Sequence, residues 1–441
     1  MSCLWASVPS DKQRRNKYLM NKLRNENIAV TGIGSILPGV NDRSEFWKCI
    51  SEGTPQVGKL TRFDGAVGGL NVYASAEIRD FDDERFLGDL PAKHREKYSR
   101  EILIALSAMS QALADAGFKR KELPGARVSI IQSTSRGSLE WWNGALSGAD
   151  VNAFLDRGAL FRGLPSSAAP LAAIYLGAQG LVTTLTSACV GGNHAIGIAM
   201  DQLRLGHADV VLAGGHEFPI LPGIANCYRT FGVDAGLLSQ EQEDLPRSVK
   251  PYHRDRDGFV LGEGAVTLCL ERESDARARG ANILGLLFAH VPFNEAAHGT
   301  SMDLTGTVTA QVLERAIAAA NHSIADVDFI TGHGTATRTN DFAECQAVSA
   351  LYSNTGSTPP LISNKAIFGH TFGVAGIINV AATVLSLHEQ MIPCTANLTD
   401  VSPECDIDHV CEGTRASASD FALSLSFAFG SQTSVISVGK V

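Results

Sequence analysis

From residue 27 onward the chain alternates short apolar runs with long amphipathic stretches, and this rhythm passes twice. Runs at 27–37, 127–132, 209–215 and 266–271 read as strands, and 42–51 and 97–116 read as helices between them. From residue 283 the pattern begins again, with strands at 283–290, 327–331, 361–363, 423–429 and 435–438 and helices at 308–320, 341–352 and 374–388. Strands separated by helices predict an α/β fold with a parallel sheet, because a helix is the usual crossover back to the same edge. The matched rhythm predicts a duplicated, layered fold: an extension at 1–26, a first half at 27–280 and a second at 281–441. The extension is polar and basic from residue 11 to 26, lacks the apolar core of a secretory signal and is expected to be weakly ordered.

The totals narrow the function classes. With 441 residues, 44% apolar and 19% charged, the chain can bury a large core as a soluble globular protein. A net charge of −9 argues against nucleic acid as a partner. No apolar run reads as long enough to span a bilayer. Nine cysteines without paired spacing form neither a disulfide framework nor a zinc ribbon, so no metal is expected and a reducing, cytoplasmic location is.

One of those cysteines stands apart. Residues 183–194, TTLTSACVGGNH, place Cys189 among small residues at a tight bend where a helix begins. A helix start offers unpaired N–H groups and partial positive charge, which favour a thiolate near neutral pH. The competing reading is a buried cysteine serving as a small hydrophobe. Two downstream motifs weigh against it: His333-Gly334-Thr335-Ala336-Thr337 and Gly369-His370-Thr371-Phe372-Gly373 each end an apolar run and open a helix. With Lys365 they supply what a thiolate needs for acyl transfer, two imidazoles to stabilise a reacting carbonyl and a cation to tune them.

Other segments carry two readings. The charged run 250–265 alternates signs between apolar segments, so internal salt bridges compete with a solvated face. Trp141 and Trp142 read as one buried ring and one at an edge, and 221–239, with Tyr228 and Phe231, as a pocket-lining loop. His194, five residues past the cysteine, reads as a packing residue, and Asp341 and Glu344 compete with plain helix-start carboxylates.

Together these motifs resemble the type II, elongating β-ketoacyl-acyl carrier protein synthases of the thiolase superfamily, from about residue 27 to about 438. The resemblance is carried by Ser187-Ala188-Cys189, by His333 to Thr337 followed by Asp341 and Glu344, by Lys365 with Gly369-His370, and by DRDGFVLGEGA at 255–265. It implies a thiolase-like αβαβα fold with two pseudo-symmetric halves, and a decarboxylative Claisen condensation in fatty acid or specialised polyketide or polyene synthesis. By resemblance, Cys189 accepts the acyl chain, His333 and His370 promote decarboxylation of malonyl-carrier protein and hold the enolate oxygen, and Lys365 orients the histidine pair. Thr335 and Thr337 contact the phosphopantetheine arm. The N–H groups of Cys189 and Phe429 form the oxyanion hole, and Phe429 gates the acyl pocket. No cofactor is implied beyond the arm of acyl carrier protein, which is the expected partner, and a homodimer is expected.

The chain departs from that pattern at its C-terminal loop. Ala428-Phe429-Gly430-Ser431-Gln432-Thr433 replaces a usual Gly-Phe-Gly-Gly-Thr-Asn, which should stiffen the loop, and Asn379 replaces a glutamate that pairs with the lysine in relatives. Two rival readings keep the fold: an acyltransferase without decarboxylation, and a non-catalytic chain-length partner subunit. Cys189 with both histidines counts against the latter.

Overall fold

The computed structural model describes residues 26–120, 123, 125–147, 158–230, 237–238, 243–300 and 302–441. The expected extension lies outside the described residues apart from Glu26, as does much of 221–239.

Aliphatic residues and glycines fill β1 (Ile28–Ile36), and all nine of its residues are buried. Asp42 then caps α1 (Arg43–Ser51) by accepting the N–H of Glu45 at 2.9 Å. The next long helix, α2 (Arg100–Asp115), is followed by Gly117 at φ +79°, the left-handed stop a helix end favours. The first half continues through β2 (Val128–Ser133), β3 (Val182–Leu185), α3 (Gly191–Arg204), β4 (Val210–Glu217) and β5 (Gly264–Arg272). The second runs β6 (Gly285–Asn294), α4 (Thr307–Ala319), β7 (Phe329–Thr331), α5 (Arg338–Leu351), β8 (Leu361–Ile362), α6 (Ala375–Glu389), β9 (Phe421–Ala428) and β10 (Gln432–Gly439).

These ten strands form one sheet in the order β8-β7-β9-β10-β6-β1-β5-β4-β2-β3. Counted from its own first strand, each half runs third, second, fourth, fifth, first from the outer edge inward, so the duplication is explicit in the topology. The two first strands, β1 and β6, pair antiparallel where the halves meet.

The expected parallel sheet is corrected in part. Parallel pairing is confined to the wings, β2 with β3 and β4, and β7 with β8 and β9. The middle of the sheet is antiparallel. At β9 and β10 the cause is plain: three residues separate them, too few for a crossover, so the chain must reverse.

Helices α3 and α6 lie in the largest apolar cluster with β1, β5 and β10. Their starts approach closely because glycine is present. A Cβ at Gly192 would come 2.8 Å from the Ile377 nitrogen, and one at Gly376 would come 2.5 Å from Asn193 Oδ1. Residues 372–389 also correct the expectation about apolar runs. By length and a mean hydropathy of 1.4 they could cross a membrane, yet 89% of that stretch is buried as a core helix. The adjacent tryptophans meet edge to face at 4.9 Å, Trp141 half-buried and Trp142 exposed, so neither is the fully buried ring expected.

Candidate active site

The thiol comes from the first half and the imidazoles from the second. Cys189 sits in the 3-10 turn Ala188–Val190 that links β3 to α3, and Ala188 before it is held at φ +47°. A left-handed alanine costs of order 1–3 kcal/mol, tolerated where the surroundings fix the turn, and here it turns the thiol into a cavity. His370 occupies the equivalent corner of the second half: it too follows the third strand and precedes the central helix, with Phe372 at φ +41° beside it. His333 follows β7, and Ala336 at φ +60° bends the chain between Thr335 and Thr337.

These corners converge. Cys189 Sγ lies 3.3 Å from His370 Nε2, and the thiol and both imidazoles offer atoms all within 4.8 Å of one another. By donor chemistry this trio is also a set that a soft divalent ion such as zinc can bind. The Phe372 N–H donates to His370 Nδ1 at 3.3 Å, which leaves Nε2 to carry the proton of the neutral ring. Lys365 Nζ lies 3.4 Å from His333 Nδ1 and donates to the His333 carbonyl, which fixes the same tautomer there. Burial, reinforced by the Lys365 charge, pulls both imidazoles well below the ordinary histidine range, so each is neutral. Two neutral rings carrying Nε2–H in a buried cavity are donors to a developing oxyanion rather than bases.

Burial also corrects the expectation of a resting thiolate. It pushes the Cys189 thiol up to about 12, against which Lys365 and Arg136 pull down. The helix start does not by itself ionise this sulfur.

Behind the histidines lies a buried scaffold. Glu344 accepts the N–H of His333 at 2.5 Å and of Gly334 at 2.8 Å, and Tyr252 Oη donates to it at 3.0 Å. Asp341 accepts the Tyr252 N–H at 2.8 Å and faces Arg256 Nε at 3.8 Å. Neither is a solvated helix-start carboxylate: burial raises Asp341 to about 6 and Glu344 to about 7. The charged run is internal at Arg256 and Glu263, whereas Arg254, Asp255 and Asp257 are exposed. Arg256 is buried and donates to the carbonyls of His253, Thr337 and Arg338, while Glu263 accepts from Arg62, Arg100 and the Ile78 N–H. Asn379 does not meet the lysine. Its Nδ2 donates to the Gly332 carbonyl at 2.8 Å, and Lys365 has the charges of Glu344 and Asp341 nearby instead.

One cavity gathers Cys189, His333, His370, Thr335, Thr337 and Phe429, and Lys365 stands behind His333. The Thr335 and Thr337 hydroxyls bond each other at 2.8 Å. Phe429 is 40% exposed. In its loop Ser431 sits at φ +55° and donates to the His298 carbonyl at 2.5 Å while accepting that residue's N–H at 3.1 Å, so the departed loop is tied to its neighbour. Tyr228, read from the sequence as part of a pocket-lining loop, does line the cavity but stands on the helix Pro222–Thr230. Sequence reading missed the stacking: Phe429, Tyr228, Phe372 and His370 stack in series at 6.2, 5.0 and 4.2 Å, with Phe259 edge-on to His370 at 5.1 Å. His194 packs on His290 at 5.7 Å and takes no part in this trio.

The descriptions "Beta-ketoacyl synthase, N-terminal domain" and "Beta-ketoacyl synthase, C-terminal domain" match residues 25–276 and 286–399. The chain belongs to the beta-ketoacyl synthase family. It is 32% identical to 3-oxoacyl-[acyl-carrier-protein] synthase 2 of Synechocystis sp., over 96% of this chain and 100% of that one. It is 33% identical to putative polyketide beta-ketoacyl synthase 1 of Streptomyces cyaneus, over 93% and 98%. Among solved structures, a type II polyketide synthase acyl-carrier protein in complex with its ketosynthase bound to the hexaketide aligns with a TM-score of 0.84 at 28% identity, over 95% of this chain and 100% of that chain. The ishigamide ketosynthase/chain length factor aligns equally well at 26% identity, over the same shares. The fold of this beta-ketoacyl synthase is therefore the thiolase-like one the resemblance implied.

Proposed function

We propose that this chain is a condensing acyltransferase that extends an acyl thioester with malonyl-carrier protein. Cys189 sulfur attacks the acyl thioester, the acyl group passes to it as the carbon–sulfur bond to the carrier breaks, and the carrier sulfur leaves as a thiol with the proton that Cys189 gives up. The N–H groups of Cys189 and Phe429 hold the oxyanion of that step. Malonyl-carrier protein then enters past Thr335 and Thr337, which contact its phosphopantetheine arm. Its carboxylate leaves as carbon dioxide, and the Nε2–H groups of His333 and His370 hold the enolate oxygen. The enolate carbon attacks the acyl-cysteine carbonyl, the new carbon–carbon bond replaces the carbon–sulfur bond, and Cys189 is released. Lys365 is a positioning residue that locks the tautomer of His333.

The observation that carries this reading is the convergence of one sulfur and two imidazoles within 4.8 Å, each ring held by its Nδ1 so that Nε2–H faces the reaction. Preorganised donors of this kind are worth about 100- to 1,000-fold each in rate.

Acyl carrier protein is the proposed partner and the cytoplasm the proposed location. A homodimer is supported by the half-buried edge strand β3, near which Ile174 and Leu181 stand out to solvent. The division into two halves at residue 280 is proposed on the repeated strand order.

The test is intact-mass measurement with radiometric carbon dioxide release. Acyl-carrier protein is expected to add its acyl mass to the native chain and not to Cys189→Ala, and malonyl-carrier protein to release carbon dioxide. Acylation without any carbon dioxide release would instead make the protein a simple acyltransferase.

A further inference from the structure

Arg136 follows β2 and lies against the aromatic wall of the cavity, and the reaction above gives it no task. Its Nη2 donates to Tyr228 Oη at 2.5 Å. Its guanidinium carbon stands 4.9 Å from the Phe372 ring centre and 5.3 Å from that of Tyr228. Phe372 in turn stacks on His370, and both aromatic rings line the cavity with Cys189.

The other terminal nitrogen, Nη1, is buried and meets no acceptor among the described residues. The neighbouring carboxylate, Glu217, is committed elsewhere, accepting the N–H of Ser135 at 2.6 Å and of Gly373 at 3.1 Å. No ion pair joins it to Arg136 among the described residues. A buried cationic donor left unmatched is costly, and a saturated alkyl chain laid against it leaves the cost in place. An oxygen on that chain removes it.

We infer that Arg136, with the Tyr228 hydroxyl, is a specificity-determining residue that receives an acceptor oxygen on the acyl chain held by Cys189. The inference rests on Cys189 being the acyl acceptor. It assigns the substrate class: chains that keep an oxygen are preferred to fully reduced alkyl chains. The reaction supplying the donor is therefore one that builds the chain without stripping every oxygen from it.

The test compares initial rates of Cys189 acylation by hexanoyl-, 5-oxohexanoyl- and 5-carboxypentanoyl-pantetheine thioesters, read by intact mass. The native protein is expected to favour an oxygenated chain over hexanoyl by about tenfold or more, since a site built to bond an oxygen rejects the analogue lacking it. Whether the ketone or the carboxylate is faster distinguishes a neutral from an anionic acceptor. Arg136→Met is expected to remove the preference, and Arg136→Lys to keep it only for the carboxylate. Equal rates in the native protein overturn the inference, as does an undiminished preference in Arg136→Met, which assigns Nη1 to water or to a second copy of the chain. Failure of all three thioesters to label Cys189 overturns the acyl-acceptor reading, and the inference falls with it.

Discussion

Lys365 fastens its ammonium to one histidine of the pair: Nζ lies 3.4 Å from His333 Nδ1 and donates to the His333 carbonyl, and its side-chain bonds among the described residues go nowhere else. The resemblance had it orienting both rings. His370 is oriented independently, by the backbone N–H of Phe372.

That attachment sets a pH dependence. Burial pulls Lys365 down to about 8, resisted by the charges of Cys189, Glu344 and Asp341. Above that pH the charge that strengthens the bond to Nδ1 is lost, so decarboxylation should fall as pH rises through about 8, and Lys365→Met should be slower throughout without that limb. Stability has the opposite sign. The folded pKa is lower than the unfolded one, so the unfolded chain binds more protons between about 8 and 10.5, and the lysine's contribution becomes more favourable with rising pH across that window. Unfolding free energies of native and Lys365→Met protein, subtracted at each pH, check this; a difference moving the other way contradicts it.

Replacing each histidine by asparagine should separate the two steps. His333→Asn should leave Cys189 acylation nearly unchanged and cut carbon dioxide release by about 100- to 1,000-fold. His370→Asn should slow both, because its Nε2 also lies 3.3 Å from the sulfur. Single-turnover acylation and release assays tell the variants apart.

Glu344 accepts with both carboxylate oxygens. Glu344→Gln places an amide N–H against a donor, and should cost about 1–3 kcal/mol of stability. With His333 displaced, kcat should drop while KM for the carrier substrate holds. An unchanged kcat would mean that the carboxylate does not position the ring.

Gly192 is the close-approach point of the two central helices. Gly192→Ala should destabilise by about 1–3 kcal/mol through overpacking against Ile377 and shift Cys189 three residues away, so urea midpoint and acylation rate should fall together.

The strands and long helices were legible because apolar periodicity is local, and β1, α2 and α6 fall within a few residues of where that periodicity puts them. Strand direction was not, since the antiparallel pairing of β1 with β6 joins residues far apart in the chain. Cys189, His333 and His370 were legible as motifs, whereas the 3.3 Å contact that unites two of them is a property of packing. Glu344 was legible as part of the first histidine motif, but its burial, which decides against a plain helix-start carboxylate, was not. Arg136 gave no signal, and Tyr228 and Phe429 were legible singly while their stacking was not, because the wall draws its rings from four separate segments.

Cys189 and His370 stand at twin corners, each after the third strand of its half and before a central helix. A single polypeptide thus supplies both sides of the cleft from its own two halves. One side holds sulfur and the other a ring, and the antiparallel β1–β6 seam joins the two halves that carry them.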